Sequence, residues 1–584
     1  MNKIIVANRF DGLGERFLAF MNAIYLSNLY HYNFKFIWNS MDESNPDLNI
    51  EGVIFPSVPP KEFLFSEKFI SDYYCYDYNQ TIFDTSLWSY YKKNSFEVIN
   101  KFFQENNILQ CNLNTDMSNF FSDISKVEYR SNMASIWRNI GFSKEINSVI
   151  EYGNKIRDFL KQNYIAIHMR GGDIFYRTDV LYLCRFKALE ICLSVDIIKR
   201  NKGENIVLLG NDENLNMKLK NIFAQLGYNI FTSNDLIKDC DFDVTQKAIF
   251  DIILMSNSKK LYLSGSSGFS NLAYLIGNCD KVCVYDIYST HQKYSIIKNN
   301  LKVFDFDKYQ KSFAYIHLYI YAKELKLSLS EQLFNLKEAM TTRDDAFVFK
   351  LFYVDLLLQN GQFDIAEKFF ITIIDNMDKF FENLLYNGWG GAEYFLYDFV
   401  FLNYLQIKNI EKYPNLYCIT YYLIFRLLKV NYIKIKDKIM FFLISNYFDR
   451  KLILECSFLK NQNEIIDFLE KEIVSSLNNY LMQTKSNKTC LLHNHLAYKL
   501  GFAYKYYSKG INKIALPFIL FYIKNEHQRK KIVLEQNCFN DLETAYIYQL
   551  GKMIIKAHKT WYKGGYIKLW FEIRKLKREI KKGR

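Results

Sequence analysis

His168-Met169-Arg170-Gly171-Gly172-Asp173 gathers an imidazole, a guanidinium and a carboxylate into six residues. It follows the apolar run Tyr164-Ile165-Ala166-Ile167, which reads as a short buried strand. A loop at the carboxyl edge of an open α/β sheet is where such sheets bind ligands. Arginine there suits a phosphate, because its planar fork makes paired, charge-assisted hydrogen bonds. The competing reading is a surface ion pair between Arg170 and Asp173, and the hexapeptide alone does not choose.

Two further loops carry polar residues at strand ends. Gly210-Asn211-Asp212-Glu213 follows the apolar strand pattern at 205–209. Ser264-Gly265-Ser266-Ser267-Gly268-Phe269-Ser270 joins a strand at 260–264 to a helical pattern at 268–277. Small residues at a helix amino terminus expose N–H groups, and the helix dipole favours an anion there. Ordinary capping explains such residues too. With Arg170 on the same sheet edge, a diphosphate held between the arginine and Ser266-Ser267 becomes the better reading. Near the amino terminus, Asp11-Gly12-Leu13-Gly14-Glu15 forms a glycine turn that would face this site across a cleft. It lacks the third glycine of a dinucleotide fingerprint, and no GxxxxGK[ST] occurs, which argues against NAD and ATP.

The elements that must position these loops follow an α/β rhythm. A strand at 3–7, the glycine turn, a helix from Arg16 to Tyr30 and a strand at 34–38 open a first unit. Residues from about 60 to 150 are aromatic and irregular. Strands at 164–168, 205–209, 228–231, 260–264 and 281–285 alternate with helical patterns at about 185–199, 213–226, 244–256 and 268–277. Short apolar strands alternating with helices imply a parallel sheet covered on both faces. After about 315 long helical patterns take over, and Asp355 to Ala366 has the look of one helix-turn-helix around Gly361. The fold class is therefore α/β, with two Rossmann-like lobes (1–155 and 156–315) followed by an α-helical domain (316–584).

The chain is 584 residues long, 49% hydrophobic and 17% aromatic, which argues against disorder and leads us to expect two to four domains. A net charge of +13 suits an anionic partner without choosing one, and no nucleic-acid module is visible. The 11 cysteines are scattered with no CxxC pair, as expected of buried reduced thiols. No signal peptide and no run of about 18 apolar residues is seen, so a cytoplasmic chain is expected. Its basic amphipathic end, with Leu569, Ile573, Leu576 and Ile580 on one face, would either lie on an anionic inner membrane face or pack on the domain. Asp239-Cys240-Asp241-Phe242-Asp243 imitates a metal-binding DxD but reads as a solvated acidic turn.

Four blocks, in order, resemble the fucosyltransferase superfamily of GT-B glycosyltransferases, which includes nodulation, α1,2-, α1,6- and protein O-fucosyltransferases. They are Gly12-Leu13-Gly14-Glu15-Arg16, the His168-x-Arg170-x-Gly172-Asp173 signature, Gly210-Asn211-Asp212, and Asp251 to Ser256 with the serine loop. The resemblance covers about the first 310 residues. It implies a donor site for a GDP-sugar, GDP-fucose above all, and an acceptor on a bacterial surface glycan or its lipid-linked precursor. Arg170 would bind the β-phosphate, and Ser266 and Ser267 the pyrophosphate. His168 and Asp173 would orient Arg170 or shape the pocket. Asp212 and Asp251 would contact guanosine or order the loops, Asn211 would bind the donor, and Gly12, Gly14 and Arg16 would line the donor side. Transfer with inversion is implied, with no metal and no cofactor, because arginine supplies the positive charge. Asp173 and Asp179 are the candidate bases. Gly171 stands where several members have a second arginine. The same fold with another nucleotide-sugar, or a helical scaffold carrying a degenerate transferase, are the alternatives.

Overall fold

The computed structural model describes residues 3–42, 52–54, 57–76, 107–160, 163–176, 186–386, 395–446, 448–483, 496–507, 523, 542–559, 568–569 and 571–574. The chain forms two compact units, Met1–Phe349 and Lys350–Arg584.

The first unit contains two parallel sheets. Strand β1 (Ile4–Ala7) lies between β2 (Asn33–Phe36) and β3 (Ile108–Cys111). Helix α1 (Leu13–Tyr30) makes the β1–β2 crossover and buries Phe17, Phe20, Met21 and Leu26 on the sheet. Helices α2 (Lys126–Asn139) and α3 (Lys144–Phe159) follow, each capped by a serine side chain, Ser125 and Ser143. Strand β3 and both helices lie in or next to the stretch whose pattern is irregular in sequence. Aromatic packing replaces simple periodicity there: Phe17, Phe65, Trp137 and Phe142 form one edge-to-face and stacked cluster.

The second sheet runs β8-β7-β4-β5-β6. Its strands are β4 (Tyr164–His168), β5 (Asn205–Leu209), β6 (Ile230–Thr232), β7 (Lys260–Leu263) and β8 (Asp280–Cys283). All neighbours are parallel, and β4 is buried throughout. The connecting helices are α4 (Gly172–Phe175), α5 (Ile191–Arg200), α6 (Glu213–Gln225), α7 (Val244–Asn257) and α8 (Gly268–Ile276). The chain proceeds outward from β4 to β5 and β6, then returns to β4's other side with β7. That reversal is a topological switch point, and it opens a crevice beyond the carboxyl ends of β4 and β7. The first sheet reverses likewise at β1, whose carboxyl end carries the turn before α1.

Helices α9 (Thr290–Val303), α10 (Lys308–Glu324) and α11 (Leu329–Thr342) complete the unit. Helical structure thus begins inside the first unit, which continues past 315 to Phe349. The second unit is helical. Its elements include Phe363–Thr372, Pro414–Lys429, Gln462–Gln483, Leu496–Tyr507 and Leu542–Lys559. The helix-turn-helix at 355–366 forms, with Gly361 in the left-handed region (φ +67°) that favours glycine. Leu569 and Ile573, the first two positions of the amphipathic tail face, are buried against Leu500, Leu550 and Ile554. At these two positions the face packs on the helices, the second of the two alternatives; Leu576 and Ile580 lie outside the described residues. Among the described residues no helix is long and apolar enough to cross a membrane.

The two sheets are brought together by α1 and α8. A Cβ added to Gly14 would lie 2.5 Å from Phe269 Cα and 2.6 Å from Phe269 N. Only glycine permits that approach. Gly14→Ala should therefore force the helices apart and cost about 1–3 kcal/mol, the usual range for overpacking. Urea denaturation of the two chains measures this, and an unchanged midpoint would mean that α1 and α8 separate freely.

Candidate functional site

At the crevice between β4 and β7, Arg170 emerges one residue beyond Met169, and the serine loop faces it. Arg170 Nη1 donates to Ser267 Oγ at 3.3 Å. The arginine side chain keeps 19% of its surface exposed, while Ser267 is fully buried. Ser267 precedes α8, so the guanidinium, the hydroxyl and the amino end of α8 converge on one point. A guanidinium and a helix amino terminus together select for an anion.

An anion already lies there, and it comes from the first lobe. Glu15, on the first turn of α1, has Oε1 3.7 Å from Arg170 Nη1. The same oxygen accepts from the Gly268 backbone N–H at 3.3 Å. The close approach at Gly14 delivers it. The sequence motif contains Glu15, but nothing in its spacing singles it out as a partner of Arg170, 155 residues away in the chain. Gly14 therefore serves helix packing, and Gly12 caps α1.

Arg16 does not face the crevice as a donor-binding residue; its guanidinium is buried in the first lobe. It donates to Asp11 O (2.5 Å), Phe10 O (3.1 Å) and Asn39 O, and lies 5.6 Å from the Trp38 ring. It fixes the turn that precedes α1. Arg9, on the same turn, pairs with Asp11 and donates to Asn112 O at 2.7 Å.

Asn211 is a clasp between loops. Its Oδ1 accepts from Gly171 N and Gly172 N, both at 3.2 Å, and its Nδ2 donates to Ile54 O at 3.2 Å. Asp212 caps α6, accepting from Leu215 N at 2.9 Å, and receives Gln310 Nε2 at 3.4 Å. Burial raises its carboxyl above the usual range, with Asp307 adding to the effect and Leu215 and Gln310 opposing it. Neither side chain is presented as a free nucleotide contact; both order the loops. Asp251 lies on α7 with Ser233, Glu213 and Lys247 around it, on the β5–β6 side of the edge. Desolvation pushes its carboxyl up to about 7, against a hydrogen bond from Ser233.

The His168 ring packs on Phe269 with centroids 5.6 Å apart, next to the start of α8. Ser266 is exposed, and its hydroxyl donates to Phe186 O at 2.6 Å. Asp173 falls in α4, and Asp179 lies outside the described residues. Asp243 caps α7 through Gln246, which accounts for the end of the acidic turn. Among the described residues, no group of three or more His, Cys, Asp or Glu is disposed to hold a metal.

A segment that sequence reasoning missed backs both loops. Leu189 N donates to Arg170 O at 2.9 Å, and Ser264 Oγ donates to Lys187 O at 2.8 Å. Glu190 follows, fully buried, capping α5 through Leu193 N at 2.9 Å. Its pattern signal is only that of a polar residue before an apolar helix.

Residues 429–582 match a family described as a domain of unknown function (DUF8374). No curated protein matches by sequence. Among solved structures, the fucosyltransferase NodZ from Bradyrhizobium is similar over 47% of this chain and 94% of its own, at 14% identity and a TM-score of 0.28. A mutant of Arabidopsis thaliana FUT1 in complex with GDP is similar over 48% of this chain and 70% of its own, at 13% identity and 0.31. POFUT1 in complex with GDP-fucose is similar over 48% and 96%, at 10% identity and 0.28.

Glu190 makes the site's support pH-dependent. Burial pushes its carboxyl from 4.5 up to about 7, opposed by the Leu193 and Cys192 amides and the Cys192 thiol. The fold favours the neutral form, so this contribution is complete below about 4.5 and is lost as pH rises through about 7. The difference is on the order of 3 kcal/mol. Unfolding free energy measured from pH 5 to 8 should fall in the wild type and stay flatter in Glu190→Gln; parallel curves would sink the assignment.

Proposed function

We propose that the chain is an inverting glycosyltransferase that moves a sugar, fucose from GDP-fucose, onto a hydroxyl of a bacterial surface glycan or its lipid-linked precursor in the cytoplasm. The observation that carries this reading is the anion site at the switch point: Arg170, Ser267 and the amino end of α8, converging on a carboxylate from the opposite lobe. A diphosphate entering that point would replace Glu15 against Arg170 and the Gly268 N–H. The ordered resemblance of the strand-end motifs supports the choice of donor.

In this reading the second lobe binds the nucleotide-sugar and the first lobe presents the acceptor. The acceptor oxygen attacks the anomeric carbon from the face opposite the diphosphate. The bond from that carbon to the diphosphate oxygen breaks, and GDP leaves with the electron pair. Arg170 stabilises the charge that develops on the leaving phosphate, and the exposed Ser266 hydroxyl would turn its proton from Phe186 O to the second phosphate. The hydroxyl proton passes to a carboxylate. Glu15, freed from Arg170 by the incoming diphosphate, joins Asp173 and Asp179 as a candidate for that step. Arginine supplies the positive charge that faces the leaving group, so the reading requires no metal.

Thermal melting of the purified chain across nucleotides and nucleotide-sugars tests the donor. GDP or GDP-fucose at about 100 times its dissociation constant should stabilise by roughly 2.7 kcal/mol, and Arg170→Ala should abolish most of that shift. A shift with UDP- or CMP-sugars instead would keep the transferase and discard fucose. No shift with any nucleotide would favour the scaffold reading, which the Glu15 contact and the missing second arginine at Gly171 motivate.

Glu15→Gln separates two roles. Removing the competing negative charge should tighten GDP binding. If Glu15 takes the acceptor proton, turnover should also fall by about 10²- to 10⁴-fold. Unchanged turnover would leave the proton to Asp173 or Asp179.

A further inference from the structure

The helices that follow the second sheet reach back to the signature loop through one buried arginine. Arg343 is 1% exposed. Its Nη1 donates to Phe175 O at 2.5 Å, and its Nη2 to Tyr176 O at 3.2 Å. Asp345 balances the charge, accepting from Nε at 3.1 Å and from Nη2 at 2.9 Å. The guanidinium also lies 4.9 Å from the Tyr309 ring. Rings tighten the same contact: Tyr176 with Tyr309 at 4.5 Å and Phe175 with Phe313 at 4.6 Å.

Phe175 and Tyr176 close the single turn of α4, which starts two residues after Arg170. The last carbonyls of a helix have no partner within it, and a cation supplied from outside satisfies them. At the other end of the turn, Asn211 holds the Gly171 and Gly172 amides. Asn211 adjoins Asp212, which Gln310 on α10 holds in turn. The contacts close a ring: Arg343, α4, Asn211, Asp212 and Gln310. Both ends of the ring rest on the helical layer 308–345.

We infer that Arg343 is a positioning residue for Arg170, so that the layer 308–345 is a working part of the donor site. Arg343 touches no substrate in this scheme. It fixes α4, and α4 fixes the direction from which Arg170 leaves β4. A buried cation on main-chain carbonyls suits that task, because a substitute without its fork of donors would leave the Phe175 and Tyr176 carbonyls short of partners. The inference rests on the donor reading above.

The test uses the full chain as wild type, Arg343→Gln and Arg343→Lys, with GDP as the probe. Hydrogen exchange reads the loop, and calorimetry at a temperature below every variant's melting transition reads binding. Arg343→Gln should raise exchange across 169–176 while β5 and β7 stay protected. It should weaken GDP by about tenfold to a hundredfold, the scale of a displaced positioning group. Arg343→Lys, which keeps the charge and some donors, should recover part of both and serves if the glutamine variant fails to fold. Exchange that rises throughout the lobe, or GDP binding within about twofold of wild type, would overturn the inference while leaving the donor reading intact. A wild type that binds no GDP would remove the donor reading and this inference with it.

Discussion

The site depends on a helix crossing that leaves no room for a side chain. At Gly14, α1 meets the backbone of Gly268 and Phe269, and a Cβ would stand 2.5 Å from its neighbour. That crossing joins the lobes and sets Glu15 beside Gly268 N and Arg170. A bulkier residue would separate the helices and with them the carboxylate and the arginine. Packing and electrostatics are thus one constraint here, because the glycine determines which charge faces which.

Around that crossing the polar groups divide into those that hold and those that face the crevice. Arg16, Asn211, Asp212 and Arg343 use their hydrogen-bonding capacity on backbone and caps. Arg170 and Ser266 keep exposed surface at the switch point. Buried polar groups must be paired, and buried charges need compensating partners. The holding residues meet that demand with main-chain carbonyls, amides and cap positions. The result is a stiff rim around a small number of accessible groups, which is what orienting a charged ligand requires.

Much of the second lobe was legible in the residues. β4 and β5 lie at the very positions where apolar runs end in polar loops, and α6 to α8 match their helical patterns within a few residues. Fully buried parallel strands produce such runs because both faces are covered. The first lobe was less legible. β3 is four residues with a glutamine among them, and its place beside β1 is set by pairing across the chain. The helices that follow residue 315 belong to the first unit as far as Phe349. Helical periodicity identifies a buried face but not the surface that buries it.

By itself the sequence determined the strand-end loops, the likeness of their order to a glycosyltransferase family, and Arg170 as the cation among them. Those are local properties, since a strand, its loop and its helix are contiguous in the chain. Tertiary structure alone decided the roles. It placed Arg16, Asn211 and Asp212 on backbone groups and a helix cap, and it revealed Glu15, Glu190 and Arg343. Each of these acts on backbone or charge far away in the chain or hidden by burial. Contacts of that kind arise from packing two sheets and a helical layer together, which no spacing within one segment encodes.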